Sequence, residues 1–285
     1  MRLVRFSKDG AAVQIGVLTG DAVVPVAALA PDAPQEMTAL IAAWDSVAPQ
    51  LAGAAGSDAA IALDTVTLAA PVAAPQKILA IGLNYADHVE ETGMATPTQQ
   101  VWFCKQPNAV NAPMADIELP KASDQLDYEV ELVAVIGKGG RHISAADAPN
   151  HVFGYAVGND VSVRDWQMKT AQWMLGKSFD THAPFGPAIV TADEIGDPHR
   201  LAIKSFVNGE LRQNSNTKHL IFTVWDQIAE LSQAMTLQPG DLIFTGTPGG
   251  VGLAMKPPSF LKAGDVVRCE IEELGAIENT VAPEA

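Results

Sequence analysis

Cysteine is scarce in these 285 residues: there are two, Cys104 and Cys269, with no paired spacing. That excludes a disulfide framework and a thiolate zinc site, and it fits a reducing compartment. Basic residues are also in short supply. Lys and Arg total 18 against 33 Asp and Glu, a formal net charge of −15. Such a surface repels polyanions, so nucleic acid and anionic membrane are poor partners. An anionic substrate would need a locally positive site, such as a metal ion. Long apolar runs are missing too. The N-terminus, MRLVRFSKDG, has none after its basic residues, and Gly16, Gly20, Asp21 and Pro25 break the next stretch. Neither a signal peptide nor a membrane span is legible, and the expected location is cytoplasmic.

Apolar residues make up 48% of the chain, ample for a sizeable core. The first 30 residues alternate short apolar runs with Gly-Asp turns, which predicts a small antiparallel meander. Met37, Leu40, Ile41 and Trp44 fall at helical spacing and predict a helix over 36–45. The stretch AAPVAAPQ at 69–76 carries two prolines and almost no charge, and marks the boundary of a small N-terminal domain. Beyond it the pattern is mainly β. KILAIGLNY, DYEVELVAVIG, HVFGYAVGND, LAIKSFVNGE, GDLIFTGTP and GDVVRCEIEELG are strand-like runs bounded by turn residues. One helix interrupts them, with Val224, Ile228, Leu231 and Met235 on one face.

The sharpest local signal is DYEVELVAVIG at 127–137. Strand alternation puts Glu129, Glu131, Val133 and Val135 on one face, and Val130, Leu132, Ala134 and Ile136 on the other. Both faces are apolar beyond the glutamates, as in a strand buried on both sides. Two adjacent carboxylates there repel each other unless a counter-charge is present. The strand taken alone also fits an edge whose outer face is acidic and solvated. Asp160, ending the run HVFGYAVGND, supplies a third acid at a sheet rim. Three oxygen ligands without Cys or clustered His suit a hard cation: Mg²⁺, Mn²⁺ or Ca²⁺.

Other candidates carry chemistry of their own. In NYADHVEE, Asn84 can cap a short helix that places His88 and Glu91 at i and i+3. A carboxylate bonded to one imidazole nitrogen raises the basicity of the other, giving a general base. A His–Glu pair on a surface helix has the same spacing. Arg164 and Gln167, also at i and i+3, follow Asp160; Arg164 can clamp a carboxylate or pair with Asp165. Lys177, in GKSFDTHAPFGP, can stabilise a developing enolate, or form a salt bridge to Asp180 or Glu129. FTGTPGGVG at 244–252 allows backbone N–H groups and the Thr247 hydroxyl to approach an anion, and equally fits a tight turn.

The order NYADHVEE, DYEVEL, GNDVSVRDWQ, LGKSFDTHAPFGP, VNGELRQNSNT, PGDLIFTGTPGGVG and KAGDVVRCEIEELG resembles the fumarylacetoacetate hydrolase superfamily. It is nearest to the fumarylacetoacetate hydrolase domain-containing 2 branch and bacterial 2-oxo acid hydrolase relatives, over about residues 77–283. The resemblance implies a mostly β fold, a mixed β-sandwich roll over 71–285, with a small α+β N-terminal domain over 1–70, assembled as a homodimer. It implies Glu129, Glu131 and Asp160 as Mg²⁺ ligands and His88 with Glu91 as the water-activating dyad. Lys177 is expected in the active site, with Lys105, Arg164, Gln167 and Thr247 near the substrate. The expected activity is Mg²⁺-dependent C–C hydrolysis of a 2,4-dioxo acid, an acylpyruvate or 2,4-dioxo-3-deoxy sugar acid, to pyruvate and a carboxylic acid. The same metal–enolate site could instead decarboxylate or tautomerise oxaloacetate, or isomerise a 2-oxo acid. A metal-stabilised metabolite-binding protein without turnover is the reading from another class.

Overall fold

The run VELVAVI is aliphatic at every position except its glutamate, and it forms the strand Val130–Ile136, buried along its whole length. This computed structural model describes residues 1–93 and 95–285. In it the strand lies inside a large mixed sheet. The order across that sheet is Ile61–Ala62, Ala22–Pro25, Gln14–Thr19, Arg2–Ser7, Ala183–Thr191, Val152–Asn159, Val130–Ile136, Leu242–Phe244, Ile78–Gly82 and Val101–Lys105. A second sheet orders Glu210–Asn216, Ala202–Val207, Val266–Ile271, Gly275–Pro283 and Ile117–Leu119. The architecture is mostly β, as the strand-rich sequence predicts.

The two faces of the central strand bury against different layers. Leu132 and Ala134 pack with Ile203, Val267 and Ile277 of the second sheet. Val133 and Val135 pack with Met37, Leu40 and Ile41 of the N-terminal segment. The expected N-terminal meander is present, its three strands antiparallel in order. Its first strand pairs with Ala183–Thr191 through Leu3↔Ile189, so the large sheet draws strands from both segments of the chain.

Three local expectations are corrected. The helix expected over 36–45 is two helices, Met37–Ala42 and Trp44–Leu51. The chain leaves helical geometry at Ala43 (φ −97°, ψ 11°), and Trp44 then meets Phe153 edge-on at 5.0 Å. Asn84 does not cap the following helix, Ala86–Thr92, whose N-cap is Tyr85. The Asn84 amide instead donates to the carbonyls of Phe222 and Thr245 and accepts from the Phe222 N–H. The helix Val224–Ala234 starts from a capping box between Thr223 and Asp226, and Met235 is its C-cap rather than part of its face. Among the described residues, no helix is long and apolar enough to cross a membrane.

Strand pairing delivers the acids to one place. Val130 and Glu131 pair with Asn159 and Gly158, and the Asp160 N–H donates to the Glu129 carbonyl at 2.8 Å. Alternation then puts Glu129 and Glu131 on the face that also receives Asp160. Gly158, opposite Glu131, has no room for a side chain: a Cβ would lie 2.5 Å from Val133 Cγ2. Leu132 is fully buried on the other face. Leu132→Ala should cost about 2–5 kcal/mol of stability, read from the urea midpoint at unchanged slope.

Candidate active site

Seven charged side chains are buried together at the rim of the central strand. Asp127, Glu129, Glu131 and Asp160 face Lys105, Arg164 and Lys177, each with 5% exposure or less. Ionised acids and bases rarely lose water in this way unless they are paired. Lys177 Nζ lies 2.7 Å from both Glu129 Oε2 and Asp160 Oδ2. Lys105 Nζ lies 2.6 Å from Asp160 Oδ1. Arg164 reaches Asp127 Oδ2 at 2.8 Å and Glu129 Oε1 at 2.7 Å. Among the described residues Glu131 has no ion pair, and its Oε2 accepts the Gly246 N–H at 2.8 Å. Four carboxyl groups against three cations leave one acid without a paired cation, and it is Glu131.

The ionisation behaviour follows from these contacts. Burial opposes ionisation of Glu129, but Lys177 and Arg164 outweigh it and hold the carboxyl at about 2. Burial pushes Glu131 well above the usual carboxylate range, with Asp160 and Glu129 adding to the rise. Burial draws Lys105 below the ordinary ammonium range despite Asp160 beside it. Burial has the same tendency at Lys177, but Asp160 and Glu129 overcome it and raise that ammonium.

The donor set fits a divalent ion. One carboxylate oxygen from each of Glu129, Glu131 and Asp160 lies within 4.8 Å of the others. All the ligand atoms are oxygens, the preference of hard cations. The orphaned charge on Glu131 is what such an ion would neutralise.

A cavity of about 370 Å³ opens beside this cluster, lined by His88, Glu91, Glu129, Glu131, Arg164 and Lys177 among others. His88 Nδ1 lies 3.5 Å from Glu91 Oε2. That is long for a hydrogen bond, and such pairs often tighten when ligand binds. The His88 contact lowers the Glu91 carboxyl, burial opposes this, and the Gly250 N–H reinforces it. Gly250 donates to both Glu91 oxygens, at 3.1 and 3.0 Å, so the glycine-rich loop holds the carboxylate end of the dyad. On the same helix, Asp87 accepts from the Ser215 hydroxyl.

The remaining expected residues divide into two groups. Arg164, Gln167 and Thr247 line the cavity; Lys105 is not among its lining residues and donates to Asp160 and the Val161 carbonyl. Arg164 Nη1 donates to Gln167 Oε1. Its Nη2 is buried with no hydrogen-bond partner among the described residues. The Thr247 hydroxyl does not offer its proton to a ligand: it donates to the Val130 carbonyl at 2.9 Å and accepts from Gln213 at 2.7 Å. Lys177 pairs with Glu129 and not with Asp180; Arg164 pairs with Asp127 and Glu129 and not with Asp165.

Two further buried side chains support the site. Asp127 is fully buried and accepts from Arg164 Nε and from the N–H groups of Gly252 and Leu253, tying the guanidinium to the loop at the cavity mouth. Its only sequence signal is its place at the head of DYEVEL. Gln213, also fully buried, bridges Val130 N–H, Ser205 and Thr247; its only sequence signal is its place in VNGELRQNSNT.

Glu131→Gln removes the orphaned charge while keeping size and shape. Without metal the variant should be no less stable than the parent, because the buried charge was uncompensated. The parent should gain about 2.7 kcal/mol at a Mn²⁺ concentration of 100 times its Kd, and the variant almost nothing, in thermal unfolding. An equal Mn²⁺ response in both proteins would remove Glu131 from the ligand set.

Known proteins share this arrangement of sequence and fold. Residues 77–282 match the fumarylacetoacetate (FAA) hydrolase C-terminal family, and residues 1–71 match the Rv2993c-like N-terminal family. The mitochondrial oxaloacetate tautomerase fahd2 of Xenopus laevis is 46% identical over 287 residues, covering 99% of this chain and 90% of its own. Maleylpyruvate hydrolase from Sphingobium sp. SYK-6, solved with manganese(II) ion and pyruvate, superposes with a TM-score of 0.85 at 34% identity, with both chains fully covered. The 5-carboxymethyl-2-hydroxymuconate delta-isomerase of Mycobacterium smegmatis gives a TM-score of 0.80 at 33% identity, again over both whole chains. The family match covers well over half the chain and the relatives exceed 30% identity: this protein belongs to the fumarylacetoacetate hydrolase family.

Proposed function

We propose that the protein is a divalent-metal-dependent keto–enol tautomerase of a small 2-oxo diacid of the oxaloacetate type. The carrying observation is the 46% identity over 99% of the chain to a protein named oxaloacetate tautomerase. This favours the tautomerase alternative over the C–C hydrolysis first expected from the motifs. The residues serve both reactions, because both pass through negative charge on the oxygen at C2.

Glu91 faces Nδ1 of His88, which leaves Nε2 as the basic nitrogen. The C–H bond at C3 breaks and its proton moves to Nε2. The electron pair forms the C2–C3 double bond, and the carbonyl pair moves onto the C2 oxygen. A proton returned to that oxygen completes the enol, and the reverse sequence gives the ketone. An ammonium has three donors, and Lys177 uses two on Glu129 and Asp160, so its third can face the oxygen that gains charge. Arg164 Nη2, the unpartnered end of an otherwise anchored guanidinium, can take a substrate carboxylate. A divalent ion held by Glu129, Glu131 and Asp160 would supply electrostatic stabilisation at the enolate oxygen.

C–C hydrolysis of an acylpyruvate is the second reading, favoured by the likeness to a maleylpyruvate hydrolase solved with pyruvate. It requires His88 to deprotonate water instead of carbon. Product mass separates the two: an isomer of unchanged mass for tautomerisation, pyruvate and a carboxylic acid for hydrolysis. With oxaloacetate, Mn²⁺-loaded protein should accelerate loss of the enol absorbance, and His88→Ala should slow it by roughly 10²–10⁴-fold. Unaltered turnover in that variant would remove His88 from the chemistry. Release of pyruvate and acid from an acylpyruvate, with no effect on oxaloacetate tautomers, would overturn the tautomerase reading in favour of the second.

A further inference from the structure

The metal-facing end of the cavity is charged, but another part of its wall is apolar, lined by Phe103, Met168, Trp173, Val251 and Leu253. A small diacid has no apolar surface to set against such a wall. Its second carboxylate is repelled by the negative face of an aromatic ring.

The wall is built rather than incidental. The Trp173 indole rests on Gly82, where a Cβ would lie 2.3 Å from Cζ3 and 2.8 Å from Cη2. Only a glycine leaves that seat open. Phe103 packs against Trp173 with centroids 5.5 Å apart and planes at 58°. The Lys177 ammonium in turn lies 4.8 Å from the centroid of the Phe103 ring. The aromatic pair therefore abuts the cation placed at the reacting oxygen. At the mouth, Met168 is 66% exposed and Leu253 40% exposed. Apolar groups at the mouth of a pocket gain when a ligand covers them, and methionine adapts to varied shapes.

We infer that this wall is a specificity site for the substituent beyond C3, with Trp173 as its specificity-determining residue. The substrate class then extends past the small diacid to 2-oxo acids with an aromatic substituent. This rests on the proposed 2-oxo acid chemistry of the same cavity.

The test uses Mn²⁺-loaded parent, Trp173→Ala and Gly82→Ala, with phenylpyruvate and oxaloacetate as probes. Both binding, by calorimetry, and tautomerisation are measured. Gly82→Ala keeps the indole but pushes it off its seat, so it separates the placement of the ring from its presence. Trp173→Ala should weaken phenylpyruvate binding, and lower its kcat/KM relative to that of oxaloacetate, by about tenfold or more. Gly82→Ala should shift the same ratio in the same direction by a smaller factor. No phenylpyruvate binding by the parent, or equal effects on the two acids in both variants, would overturn the inference. If the parent tautomerises neither acid but the binding difference persists, the specificity site stands and the tautomerase reading falls.

Discussion

One buried negative charge without a cationic partner organises this molecule's functional end. Three cations and four carboxylates are taken out of water together, and the ion pairs reach every acid except Glu131. A fold does not keep such a charge for stability, since an isolated buried carboxylate either takes up a proton or destabilises the protein. A divalent ion held between Glu129, Glu131 and Asp160, as proposed, would resolve the conflict. Lys105, Arg164 and Lys177 hold the other acids in place.

The rest of the site is built outward from that cluster by pairings between distant segments. The hairpin register sets Asp160 against Glu129. Asp127 binds Arg164 and also the loop at Gly252 and Leu253, so the guanidinium and the cavity mouth are tied to one carboxylate. The dyad helix is fastened at two points, Asp87 to Ser215 and Glu91 to Gly250. The glycine-rich loop serves this purpose through its backbone N–H groups. They bind Glu131 and Glu91, side chains of the protein itself.

Much of this was legible in the sequence where local pattern and tertiary structure agree. Alternation along VELVAVI gave both apolar faces of the central strand, and the acids at the ends of two runs converged as expected. Legibility stopped where partners come from far along the chain. Asn84 has good capping chemistry, but it finds backbone partners 138 and 161 residues away, and those win. Thr247 reads as a free donor until Val130 takes its proton. Ala43 breaks a helix that apolar spacing alone carries through to Trp44. Trp173 owes its role to Gly82, ninety-one positions earlier, and no local signal joins them. The choice between hydrolysis and tautomerisation is hidden for another reason: one base, one lysine and one metal site serve either reaction, so the motifs are common to both. The cytoplasmic expectation rests on two unpaired cysteines and on the lack of a legible leader, and the Xenopus relative is named as mitochondrial.

Anomalous diffraction from crystals grown with saturating Mn²⁺ addresses the central claim directly. The account predicts a single strong peak within ligating distance of carboxylate oxygens from Glu129, Glu131 and Asp160 together. No peak there, with Glu131 held only by the Gly246 N–H, would contradict it.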